Sequence, residues 1–239
     1  MGYDKIVDSA ALDAALGGIA DAIRAQTGGE GLLGLEEMAA AIGGIKNACD
    51  YLAEVLNKQV TELIGDKVTE KIPSGFQQGN KNLTVVDLPN TVGMGESVFD
   101  KCNNLKTVNL PALKTMAAGC FGSTLSLKTL YLPELTTITG WGYVFNGSNV
   151  EKVIFPKLVS QLAAGDFNNC KYLVALVLGA NSVCTLTNAN AFNGTPIKSG
   201  TGYIYVPAAQ LAAYKAATNW STYASQFRAI EDYPGIMEV

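Results

Sequence analysis

Hydrophobic and polar positions along this chain repeat on two periods at once. Over short stretches they alternate: Val108 and Leu110 against Thr107 and Asn109, Leu130 and Leu132 against Thr129 and Tyr131, Val153 and Phe155 against Lys152 and Ile154. Period-two alternation predicts strands with one buried face. A proline follows each strand, and Pro89, Pro111, Pro133 and Pro156 lie 22, 22 and 23 residues apart. Each removes a backbone donor and stops pairing at that point. Phe99, Phe121, Phe145, Phe167 and Phe192 recur at 22, 24, 22 and 25 residues, in step with Leu105, Leu127, Val150, Leu173 and Ile197. A leucine-patterned period of roughly 20 to 29 residues predicts a stacked solenoid, because one unit cannot cover its own apolar face and its neighbours can. Successive rungs should then pair as parallel strands about 4.8 Å apart.

The flanks read differently. Residues 1–46 predict a helical segment. Asp8 and Ser9 precede a stripe of Leu12, Leu16, Ile19 and Ile23, glycines 28, 29, 31 and 34 break it, and Leu35, Met38, Ile42 and Ile45 line a second short helix. Those glycines lack the lysine and the preceding strand of a phosphate loop. Residues 47–67, with Leu52, Leu56, Val60, Leu63 and Ile64, predict a helical connector able to mediate oligomerisation. The solenoid is expected over 68–206 as five to six rungs. It starts with a worn repeat containing Phe76 and Leu83 and finishes with the strand GYIYVP. Residues 207–239 predict a helical cap opened by Pro207, with Leu211, Tyr214, Trp220, Phe227 and Ile230 closing the stack. The fold class is therefore an α/β leucine-rich repeat solenoid with a parallel sheet, an N-terminal helical segment and a C-terminal cap.

The solenoid region resembles the BspA-type leucine-rich repeat family through L-x-x-[VL]-x-[LF]-P, the recurring Phe and the C-x-x-L step at Cys102 and Cys170, and its ending YIYVPAAQLAAYKAATNW is similar to that family's usual close. The resemblance implies the fold and a recognition role in bacterial surface or prophage-encoded proteins. Residues Ala20 to Arg24, Thr27, Gly28, Leu35, Glu37, Met38, Ala39 and Ile42 resemble a segment at the start of tail or baseplate-associated proteins of phages of Gram-positive bacteria, with Gln26 departing from the usual Lys. That second resemblance implies attachment to a virion through residues 1–46.

Composition narrows the chemistry. The chain of 239 residues carries a net charge of −4, which gives no electrostatic case for nucleic acid or an anionic membrane. No apolar run approaches the roughly 20 residues of a membrane span, and the start of the chain shows no secretory leader. Histidine is absent, so no Ser-His-Asp triad or Cys-His pair can form. The five cysteines contain no C-x-x-C pair. Cys102 and Cys170 share a repeat slot with Thr124, Ser148 and Thr195, which points to a small buried packing position. No metal, cofactor or catalytic residue is expected. A polysaccharide-acting enzyme would need paired carboxylates, and Asp87, Glu134 and Asp166 fall at unrelated repeat positions.

Two places are candidate ligand sites. On the outward face of the strands, one column reads Asp87, Asn109, Tyr131, Ile154, Val177, Tyr205 and the next Val85, Thr107, Thr129, Lys152, Ala175, Tyr203. Both turn apolar toward the C-terminus, which marks either a binding surface or a face covered by another subunit or by the C-terminal helix. The second is TGWGYVF, where the unit is long and glycines flank Trp141 and Tyr143. That loop either displays its aromatics to a sugar or a protein hot spot, or folds back on the solenoid flank. The candidate ligand-binding residues are Trp141, Tyr143, Tyr131, Ile154, Tyr203 and Tyr205. The expected function is a phage tail-fibre or receptor-binding protein, found in the virion, whose solenoid meets a host glycan or protein and whose N-terminus meets other tail proteins. By analogy it would be a homotrimer. The alternative is a bacterial cell-surface adhesin.

Overall fold

The computed structural model describes residues 57–65 and 71–238. The helices expected in residues 1–46 lie outside the described residues. In chain order the strands are β1 (Glu62–Ile64), β2 (Lys71–Ile72), β3 (Val85–Asp87), β4 (Gly93–Met94), β5 (Thr107–Asn109), β6 (Thr115–Met116), β7 (Thr129–Tyr131), β8 (Thr137–Ile138), β9 (Lys152–Phe155), β10 (Gln161–Leu162), β11 (Ala175–Leu178), β12 (Thr185–Leu186), β13 (Tyr203–Val206) and β14 (Phe227–Ala229). All pairing among them is parallel. The strand before each proline joins the strand one repeat away, so that Leu63, Val86 and Val108 stand in one register and Leu130, Val153, Leu176, Ile204 and Phe227 in another. The alternation dictated this: Val86, Leu130, Val153, Leu176 and Ile204 are fully buried. The chain turns at the proline, and a two-residue strand then buries Ile72, Met94, Met116, Ile138, Leu162 and Leu186 in a second set of ladders. Two residues are too few for period-two alternation to announce a strand.

Two expectations are corrected at the N-terminal end. Residues 62–64 fall in the span predicted as a helical connector, yet they form β1 against β3, with Val60 and Leu63 in the core. The apolar spacing there was compatible with either period, and pairing to an existing sheet decided it. The worn repeat is also out of step by one residue. Gln77 N–H donates to the Val98 carbonyl as Phe99 N–H does to Cys120 and Phe121 N–H to Val144, so Gln77 fills the phenylalanine position and Phe76 lies beside it, half-buried. Gln77 is fully buried, and its side-chain oxygen accepts from Asn80 Nδ2 at 2.9 Å. Asn80 in turn bonds the Val60 carbonyl and the Asn82 and Leu83 amides. A polar knot replaces an aromatic ring at the stack's first turn.

Behind the two sheets runs a column of rings. Phe99, Phe121, Phe145, Phe167 and Phe192 follow one another at centroid separations of 5.8, 5.7, 5.1 and 5.3 Å, with interplanar angles from 28° down to 4°. Their spacing is offset stacking within the favourable aromatic range. The slot three residues later is buried in every unit. Thr124 and Thr195 hydroxyls donate to their own Phe carbonyls, while Cys102 and Cys170 thiols donate one turn back, to Gln77 and Phe145. Burial pushes the Cys170 thiol up to about 11 and Cys102 to about 12, so neither ionises near neutrality.

The C-terminal cap contains the expected helix, shortened to α2 (Leu211–Ala216) after a one-turn helix α1 (Pro196–Ser199) before β13. It also supplies β14, which the sequence did not announce. Trp220, Tyr214, Tyr223 and Phe227 close the aromatic column. The cap treats the last rung as an open edge and satisfies it with side chains. Trp220 Nε1 donates to the Cys184 carbonyl at 2.7 Å, Asn219 Nδ2 to Leu186 at 2.7 Å, and Cys184 N–H donates to Tyr214 Oη at 3.0 Å. An uncovered edge of backbone donors and acceptors would invite pairing with another chain.

Candidate functional site

The apolar half of the outer sheet face is covered. Ile154 and Val177 are fully buried, Ala175 and Tyr205 nearly so, and Tyr131 and Tyr203 are partly buried beside them. What covers them is the end of the described chain: Ile230, Ile236 and Met237 pack on this cluster, and the Tyr233 ring meets Tyr205 edge-on at 5.1 Å. Lys152 Nζ donates to the Glu238 carbonyl, and the Arg228 guanidinium lies 4.2 Å from the Tyr203 ring centre. Ile154 and Tyr205 are therefore covered by the chain itself and do not face an external ligand, whereas Tyr131 and Tyr203 stay partly exposed at the edge of the covered patch. The sequence reading named another subunit or the C-terminal helix as cover; the residues that pack there lie beyond that helix, after β14. The polar half of the same face stays exposed, with Asn109 Nδ2 donating to Asp87 Oδ1 at 2.8 Å.

The TGWGYVF loop divides its aromatics. Trp141 is 60% exposed and Tyr143 39%. The Tyr143 ring lies flat on Gly165, where a Cβ would stand 2.8 Å from its Cε1, and Trp141 leans on Tyr143 with centroids 5.5 Å apart. The loop can make this bend because Gly142, at φ +104°, passes so close to the Ala164 carbonyl that a Cβ would be 2.3 Å from it. The first-sheet ladder is interrupted between β5 and β7 and the second between β8 and β10, so the two gaps bracket the rung that carries this insertion.

Beside the loop is a cleft of about 260 Å³ lined by Ser97, Asp100, Lys101, Gly119, Gly122, Ser123, Trp141, Tyr143 and Asn146. Three successive rungs contribute three residues each. The residues are juxtaposed because the turns around the phenylalanines bond rung to rung: Lys101 N–H to the Gly122 carbonyl and Ser123 N–H to Asn146. Two positions of this turn adopt the left-handed conformation in unit after unit. One is Gly75, Ser97, Gly119, Tyr143 and Gly165; the other is Gly79, Lys101, Ser123, Gly147, Asn169 and Gly194. Glycine takes these positions without steric cost, and other residues do so at about 1 kcal/mol or more. Five of the eleven are not glycine, and four of those five, Ser97, Lys101, Ser123 and Tyr143, line the cleft. The Asp100 carboxylate accepts from Gln78 Nε2 at 2.9 Å and rests over Gly122, while Lys101 Nζ stands 3.8 Å from it at the rim. Asn146 has a buried Oδ1 with no donor.

The three acids weighed from the sequence lie in different surroundings. Asp87 is on the sheet face, Glu134 pairs with Lys157 at 2.6 Å, and Asp166 is fully buried among backbone amides. Among the described residues no group of three or more Cys, Asp or Glu is placed to hold a metal, and no helix is long and apolar enough to cross a membrane. Of the residues that line the cleft, the sequence reading singled out Trp141 and Tyr143. It did not single out Ser97, Asp100, Lys101, Ser123 and Asn146; for Ser97, Lys101 and Ser123 a signal was legible, a non-glycine residue where sister units carry glycine, whereas Asp100 and Asn146 stand at a position that is polar in most units.

The fold defines a class, the leucine-rich repeat solenoid, in which parallel strands stack rung on rung. More particularly, the chain belongs to the BspA-type leucine-rich repeat family, whose model matches residues 58–141 and 141–203 in six copies. No curated protein matches the chain. The family match begins at residue 58, just before β1, so it includes the rung that the sequence reading assigned to a connector. It stops short of residues 20–42 and bears in no way on their resemblance to phage tail proteins.

Proposed function

We propose that the protein is a surface-recognition protein of the adhesin type, in which the BspA-type solenoid presents the Trp141 cleft to a ligand on a cell surface. The observation that carries this is the concentration of side chains at left-handed turn positions around one recess. Backbone strain persists where the surrounding structure over-determines it, and it gathers at binding sites. An exposed indole on a rigid platform, ringed by hydrogen-bonding groups, is an anchor that truncation would remove at large cost to affinity. The inert thiols and the scattered carboxylates suit binding better than chemistry. The test is attachment of fluorescently labelled protein to bacterial and epithelial cells. Trp141→Ala should lose attachment while its melting temperature stays within about 2 °C of the wild type, because the indole is mostly in water. Attachment unchanged by Trp141→Ala would overturn the proposal.

The tail-fibre reading uses the same cleft and differs in where the protein resides. It is favoured by the residues from Ala20 to Ile42 that resemble tail proteins. Gold-labelled antibody on intact cells and on induced phage particles separates the two: label on cell envelopes supports the adhesin, and label confined to tail tips supports the fibre.

A further inference from the structure

The chemistry of the cleft names its ligand class. Resting on the proposed recognition role, we infer that the Trp141 cleft binds a neutral pyranose, one sugar ring of a surface glycan. The size fits a single ring: about 260 Å³ is below the roughly 300–1,000 Å³ of sites for larger organic ligands. The indole of Trp141, braced by Tyr143 at 5.5 Å, offers a flat apolar surface to the C–H face of a sugar. The same cleft is lined by Ser97 and Ser123, Asp100 and Asn146. This is an acceptor-rich set. A carboxylate at hydrogen-bond range takes up sugar hydroxyl donors and repels a sugar that carries its own carboxylate. The carboxylate is the less exposed charge, its side chain 18% accessible against 67% for the Lys101 beside it, so the interior of the recess is anionic and its rim cationic. Asn146 Oδ1 is buried and without a donor, so the side-chain amide would have to turn toward the recess to accept from a ligand hydroxyl.

Room for the ring comes from Gly119 and Gly122. A Cβ on Gly122 would stand 2.7 Å from Asp100 Oδ1. Gly122 is not in the left-handed region, so alanine there displaces the carboxylate and narrows the floor without straining the backbone.

The chain provides its own reporter. It has two tryptophans, and Trp220 is fully buried in the cap whereas Trp141 faces solvent, so a ligand-dependent change in indole emission originates at the cleft. The experiment titrates the full chain with methyl β-galactopyranoside, methyl β-glucopyranoside and methyl α-mannopyranoside, and in parallel with glucuronate and N-acetylneuraminate. One neutral glycoside should give a saturable change with a millimolar Kd. The acidic sugars should bind at least tenfold more weakly, and Gly122→Ala and Asp100→Asn should each weaken binding at least tenfold with the far-ultraviolet circular dichroism unchanged. No saturable response to any neutral glycoside, equal binding of the acidic sugars, or wild-type binding by both variants would overturn the inference. Cell attachment that depends on Trp141 without glycoside binding overturns the ligand class and leaves the recognition site standing. Attachment independent of Trp141 overturns the recognition role itself.

Discussion

Asp166 makes the stability of this solenoid depend on pH in a direction opposite to the usual carboxylate. It sits one residue before Phe167, at the turn position filled by Val98, Cys120, Val144 and Ala191 in other units, and it is fully buried. Its Oδ2 accepts from Ala163 N–H at 2.6 Å and its Oδ1 from Val144 N–H at 3.2 Å, tying one rung to the next. Those two donors favour the anion, but loss of hydration outweighs them and raises the carboxyl from 3.8 to about 6. Below pH 4 the group is protonated in the folded and the unfolded chain. Between pH 4 and 6 the unfolded chain releases the proton and the folded chain keeps it, so stability falls as pH rises and levels off above about 7. A shift of about two units is worth roughly 3 kcal/mol over that window. Asp166→Asn cannot titrate. It loses an acceptor for one backbone amide, a pH-independent cost of about 1–3 kcal/mol. Urea unfolding followed by Trp220 emission from pH 3.5 to 8 gives both curves. The stability of the wild type relative to Asp166→Asn should decline by about 3 kcal/mol as pH rises. A difference that is constant within about 0.5 kcal/mol, or one that grows with pH, would refute the reasoning.

Two further predictions rest on packing. Phe145 is fully buried and touches the rings of Phe121, Phe155 and Phe167, so Phe145→Ala should cost about 3–5 kcal/mol in urea unfolding, and a cost below 1 kcal/mol would show that the column does not act as a continuous core. Because interactions in a solenoid are nearest-neighbour, the same substitution should lower the m-value by separating the rungs on either side. Removing residues 230–239 should uncover Ile154, Val177 and Tyr205 and raise binding of an anilinonaphthalene dye several-fold. Dye binding equal to the full chain would mean that those residues are not the apolar surface described.

Much of the fold was legible in the sequence because burial in a stacked repeat is periodic. Once Leu130, Val153 and Leu176 alternate with polar neighbours at a fixed interval, parallel pairing in register is the arrangement that buries all of them, and the recurring phenylalanines have no place but one column. The same logic marks its own failure at the first turn, where Gln77 takes the aromatic position and β1 arises in a stretch whose apolar spacing suits a helix as well as a strand. The cap's helix was readable from Pro207, whereas β14 was not, since the alternation of FRA spans only three residues and the strand forms by pairing with β13.

The site divides along the same line. The sequence by itself determined that Trp141 and Tyr143 stand in a glycine-flanked insertion, that the chain lacks histidine, and that the outer strand columns grow apolar toward the C-terminus. Tertiary structure alone decided that residues 230–238 fold back over those columns, that Asp166 is buried, and that Ser97, Asp100, Lys101, Ser123 and Asn146 meet the insertion in one cleft. Which side chains face inward is a local property, set by backbone period and the cost of leaving apolar area in water. Which outward side chains face each other depends on how distant turns align once the rungs have stacked, and on where the end of the chain comes to rest.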